Sequence, residues 1–166
     1  MEREEEGAKI RLVLDCNIWI SDFLQEKSML RDIINDGHYR ILITSYMAVE
    51  ILRVLQRQAT RLSIDFQQVE RIFWSTCQDE AVDMKLKTPV SKSLVQEVKN
   101  TTEFKVIAKL LDIEVKDIPY VVAAYTYKAT ILISDIRSFV DKRDPIKEKL
   151  GIDVLTLEEF LDRFQS

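Results

Sequence analysis

A single histidine, two cysteines and three glycines are the scarcities that matter most in this chain of 166 residues. Cys16 and Cys77 stand far apart with no CxxC pair, and His38 has no second imidazole to join it. A structural zinc site therefore lacks ligands, and any bound metal has to be held by oxygen. So few glycines also leave no GxGxxG or Walker-type loop, which excludes a glycine-rich phosphate cradle. No run nears the ~18 apolar residues that span a bilayer. The opening "MEREEEGAK" is acidic where a secretory leader is basic and then apolar. The expectation is a cytoplasmic protein with no membrane partner. A net charge of −4 argues against coating nucleic acid through bulk positive charge, while leaving room for local basic patches.

What is present suits a globular core: 46% of residues are hydrophobic and 31% charged. The length fits one domain, since cores stay single up to ~250 residues. Residues 1–9 read as a charged, disordered tail and 10–166 as a single domain. "IRLVLD", "YRILIT", "TILIS" and "IDVLTL" read as strands. "TILIS" is apolar on both faces, as in a buried parallel sheet. Helical spacing marks "IWISDFLQ", "SMLRDIIND" up to Gly37, the stripe Met47, Ile51, Val54 and Leu55 from Ser45 onward, and a segment begun by Asp65. Further helices fall on "LVQEV", "TEFKVIAKLLD", "DIPYVVAAYTYKA" and "EEFLDRF". Gln78 to Ser93 reads as strand or loop, and a charged linker follows "TILIS". Alternating strands and helices define an α/β fold with a central, mainly parallel sheet and right-handed crossovers. Ligands of such sheets bind beyond the carboxyl ends of the strands.

Two strands run straight into a carboxylate at that edge, at Asp15 and at Asp135. Asp15 and Asn17 are equally suited to capping the following helix. Glu50 borders the apolar stripe of its helix beside Val54 and faces the sheet edge, or else pairs with Arg53 and Arg57. Asp117 either caps the helix behind Pro119 or shares an inward face with Val121 and Ala124. Asp135 has the least use as a cap. Together these carboxylates would repel in a low dielectric until a cation joined them. Mg²⁺ or Mn²⁺ suits oxygen ligands, and phosphodiester hydrolysis is the chemistry such a site favours. Arg53, Arg57 and Arg61 form one ridge beside Glu50, and Arg137, Lys142 and Arg143 follow Asp135. Arg53, Arg57, Arg137 and Arg143 are the candidate contacts to a nucleic-acid backbone, against the alternative of a solvated basic face. Trp19 reads as core or dimer seam, and Cys16 as a small buried hydrophobe.

"LVLDCNIWIS", "ITSYMAVEILRVL", "DIPYVVAAYTYKATILISD" and "GIDVLTLEEFL" resemble, in that order, the motifs of PIN-domain ribonucleases. The resemblance runs from Ile10 to Phe164. It implies a three-layer α/β/α fold with the metal-binding, catalytic acids at Asp15, Glu50, Asp117 and Asp135, supported by Asn17, Ser45 and Ser134. It further implies an Mg²⁺- or Mn²⁺-dependent endoribonuclease, most like the toxin of prokaryotic toxin–antitoxin pairs. Such toxins are usually homodimers that cut RNA and are silenced by an antitoxin. Two departures stand out. Arg137 occupies a position where many relatives carry a further acid, and extra sequence between Ser91 and Val115 makes Asp112 or Glu114 an alternative to Asp117. A catalytically weak RNA- or protein-binding module is the competing reading. An aspartyl-phosphate hydrolase is disfavoured, because Asn17 and Ile18 stand where it needs a second Asp followed soon by Thr.

Overall fold

The computed structural model describes residues 9–25, 29–85, 102–111 and 113–165. Most of the acidic tail, the "LVQEV" helix and Asp112 lie outside the described residues. The strands are β1 (Ile10–Leu14), β2 (Tyr39–Thr44), β3 (Val82–Lys85), β4 (Ile131–Ile133) and β5 (Asp153–Leu155). The described helices are α1 (Cys16–Leu24), α2 (Met29–Asp36), α3 (Ser45–Arg61), α4 (Phe66–Cys77), α5 (Thr102–Leu110), α6 (Ile118–Thr126), α7 (Arg137–Asp141), α8 (Arg143–Leu150) and α9 (Leu157–Gln165). The five strands form one all-parallel sheet in the order β3-β2-β1-β4-β5, flanked by helices in a three-layer α/β/α arrangement.

The apolar runs explain the middle of this sheet. Leu12, Val13 and Leu14 of β1, Ile41, Leu42 and Ile43 of β2, and Leu132 and Ile133 of β4 are all buried, whichever face each side chain takes. Burying such a side chain contributes about 1.5–3 kcal/mol, so helices cover both faces. Met47, Ile51 and Leu55 seat α3 on the core, with Val54 packed against its edge. Helix starts are written locally: the Thr44 hydroxyl accepts from Met47 N, and Asp65 accepts from Gln67 N at 3.1 Å. Asp22 has a related use, since its Oδ1 accepts from Met29 N at 2.9 Å and holds the start of α2. Trp19 is fully buried and belongs to the core, with its ring 6.1 Å from Phe23 and 6.0 Å from Phe73.

Part of Gln78 to Ser93, read as strand or loop, is the edge strand β3. The structure differs from the sequence reading after β4, where the charged linker contains α7 and α8. Each of these helices has one fully buried anchor, Phe139 and Ile146, which is too little to produce an apolar stripe. Gly151 ends α8 at φ +71°, and its N–H reaches Lys147 O, a left-handed cap that suits glycine.

Candidate functional site

The carboxyl ends of β1 and β4 lie side by side, with Leu14 opposite Ile133 and the Asp15 amide donating to Ile133 O. Continuing that register, Ser134 stands beside Asp15, and its hydroxyl donates to Asp15 Oδ2 at 2.9 Å. The same Ser134 oxygen accepts from Ile136 N at 3.0 Å, which fixes the turn out of β4. Asp15 is buried and makes no side-chain cap to α1, so capping does not account for it. Asn17, one position further into α1 than Cys16, is exposed.

Glu50 enters from α3 and Asp117 from the start of α6. Tyr120, one turn along α6, donates its phenol to Glu50 Oε1. Glu50 is therefore bonded to Tyr120 rather than ion-paired with Arg53 or Arg57. The charge of Glu50 also acts on Cys16 and Tyr46. Asp117 is buried, makes no cap hydrogen bond to α6, and accepts from the Ser138 hydroxyl at 3.4 Å. Glu114 is exposed and paired with Lys116 at 3.4 Å, so it does not replace Asp117. Ser45 is buried in the first turn of α3.

Electrostatics bind these acids together. Burial, with smaller contributions from the charges of Asp117 and Glu50, pushes the Asp15 carboxyl up to about 6 despite the Ser134 hydrogen bond. Asp117 is raised in the same direction, first by burial, with Glu114 and Glu50 adding to it and Lys116 opposing. Burial next to Glu50 pushes the Tyr46 phenol up to about 12 and the Cys16 thiol higher still, so both stay protonated donors at neutral pH. Asp15, Glu50 and Asp117 thus form one interacting group.

Asp135 stands apart from them, which corrects the expectation of a fourth converging acid. Successive residues of a strand alternate faces. With Ser134 turned to Asp15, Asp135 turns the other way, is exposed, and accepts from Leu157 N at 2.9 Å at the start of α9. Asp135 is not among the leading charges acting on Asp15 or Asp117. Replacing Asp135 with Ala is expected to cost about 1 kcal/mol of stability through the lost Leu157 contact. The same change leaves any divalent-induced rise in Tm intact, and a rise in metal-free Tm on substitution would count against this placement.

The basic candidates divide in the same way. Arg53 and Arg57 are exposed on α3, and Arg53 is close enough to Tyr46 to act on its phenol. Arg137 is 93% exposed with only a loose contact, 3.8 Å, to Asp141. Arg143 is instead committed: its guanidinium grips Glu159 through two bonds of 3.0 and 3.2 Å. Glu159 also completes a capping box with Thr156, accepting from Thr156 N at 3.0 Å while the Thr156 hydroxyl accepts from Glu159 N at 3.1 Å. The Arg143 contact, with the Thr156 amide, holds the Glu159 carboxyl down at about 2.

The donor set fits a hard cation: carboxyl oxygens, those of Asp15 and Asp117 buried and that of Glu50 half-buried, with no soft thiolate among them. Among the described residues no three His, Cys, Asp or Glu side chains gather into a ready-made cage. Mg²⁺ commonly uses one or two carboxylates and keeps water for the rest. Tyr46, Tyr120 and Ser138 were not singled out from the sequence. The only signal for Tyr120 was its place one turn beyond Asp117. No protein-family model matches the chain, and no curated protein matches it.

Proposed function

We propose that the chain is a metal-dependent endoribonuclease, with Asp15, Glu50 and Asp117 holding Mg²⁺ or Mn²⁺. The observation that carries this reading is that three carboxylates from three different elements at the carboxyl edge of a parallel sheet act on one another through their charges, two of them being raised by burial. Anions that act on one another in a partly buried setting are costly unless a cation joins them, and Lys116, which opposes the rise at Asp117, is itself exposed. Once bound, the cation would supply Lewis acidity and charge neutralisation for phosphodiester hydrolysis. The residues supply the rest. Ser134, Tyr120 and Ser138 orient one carboxylate each, while exposed Arg53 and Arg57, with Arg137, offer contacts to RNA phosphates.

The resemblance to PIN-domain nucleases extends the proposal. In that reading the protein is the toxin of a toxin–antitoxin pair, a cytoplasmic homodimer restrained by a cognate antitoxin. Among the described residues no helix is long and apolar enough to cross a membrane. A second reading, a PIN-like module that binds RNA or protein without turnover, draws on the position of Asp135 away from the other acids.

Incubating the protein with single-stranded and structured RNA, in Mn²⁺ or in chelator, separates the two. Cleavage in Mn²⁺ that chelator abolishes supports the nuclease. RNA retained on the protein but left intact in both conditions supports the binding module.

A further inference from the structure

Each carboxylate of the site is met by one neutral hydroxyl from a different element: Ser134 for Asp15, Tyr120 for Glu50 and Ser138 for Asp117. The Tyr120 contact is the one that reaches across the core. Its ring is only 1% exposed, and its phenol bridges α6 to a carboxylate 70 residues earlier on α3. Tyr46 packs edge-on against it, with centroids 6.4 Å apart at 87°. Phenylalanine would fill the same space, so packing alone does not require the hydroxyl. A buried phenol needs an acceptor, and here the acceptor is a site carboxylate.

We infer that Tyr120 is a positioning residue that fixes the Glu50 side chain at the edge it shares with Asp15 and Asp117. This inference rests on the metal-dependent reading above. A glutamate on a helix surface has three rotatable bonds and gives up that freedom when it ligates a cation. Tyr120 imposes the ordering beforehand. An arginine in its place would orient Glu50 as firmly but would cancel the charge that attracts the cation. A phenol orients without neutralising, as hydrogen-bond partners behind metal ligands do elsewhere.

The test is Mn²⁺ titration of the full chain by calorimetry, with wild type, Tyr120→Phe, Glu50→Gln, the double variant and Tyr46→Phe, the fold of each being checked by near-ultraviolet circular dichroism. Tyr120→Phe is expected to stay folded and to bind Mn²⁺ about 10-fold more weakly. If Tyr120 acts through Glu50, the double variant binds no more weakly than Glu50→Gln alone. Tyr46→Phe, which keeps the Tyr120 phenol, is expected to lose less than Tyr120→Phe. Unchanged affinity in Tyr120→Phe overturns the inference and leaves the metal reading standing. So does a full additional loss on the Glu50→Gln background, or an equal loss in Tyr46→Phe. A wild-type chain that binds no Mn²⁺ removes the metal reading and this inference with it.

Discussion

Asp15→Asn is expected to lower kcat/KM of the proposed ribonuclease activity by roughly 10³-fold while making the metal-free protein more stable. The two effects share a cause. Asp15 is buried against Asp117 and Glu50, and its carboxyl is raised from 3.8 to about 6. That shift corresponds to about 3 kcal/mol of strain in the charged form at neutral pH, as an upper figure. Asparagine keeps an acceptor for Ser134 and removes the charge. The folded state holds the Asp15 proton more tightly than the unfolded chain, so the wild type loses stability as pH rises from about 4 through about 6. Asp117 adds to the loss in the same direction. Glu159 has the opposite sign, since its lowered carboxyl gives stability that is lost only as pH falls from 4.5 toward about 2. The two effects therefore occupy different pH ranges. Thermal melts in chelator compare the proteins directly: the Asn variant melts higher at neutral pH, and the gap closes toward about pH 4. An Asn variant that melts lower than wild type at neutral pH contradicts the electrostatic account of this site.

The largest stability effect is expected at Trp19. Trp19→Ala removes a fully buried ring from contact with Phe23 and Phe73 and is expected to cost about 3–5 kcal/mol in urea unfolding. Trp19→Phe is expected to cost only about 1–2 kcal/mol, because Trp19 Nε1 has no hydrogen-bond partner among the described residues. The contrast is the informative part. Equal losses in the two variants would mean that the indole N–H has a polar role.

The sheet was legible because parallel strands buried on both faces cannot hide their composition: "LVL" and "ILI" are apolar without alternation. The stripe of α3 was legible for the matching reason of helical period. Three of the four candidate acids, Asp15, Glu50 and Asp117, fall into one electrostatic group in the fold. Asp135 was misplaced because the sequence showed a strand ending in "ISD" without showing which of the last two residues faces β1. Pairing Leu14 with Ile133 assigns that face to Ser134. Arg143 was misread for a different reason. Its partner Glu159 lies on α9, and a contact across 16 residues between helices leaves no periodic signal. Tyr120 was hidden inside the apolar run "IPYVVAAY", where a tyrosine reads as core until its hydroxyl is located.

The neighbours of β1 have a consequence for synthesis. Its partner β4 places Ser134 against Asp15, and 119 positions separate the two residues. A ribosome has to deliver most of the polypeptide before the central strand gains its second neighbour. Products that terminate between Asp117 and β4 carry Asp15, Glu50 and Asp117 but lack the serine and the strand that set Asp15 in place. Incomplete translation therefore yields chains without an organised centre.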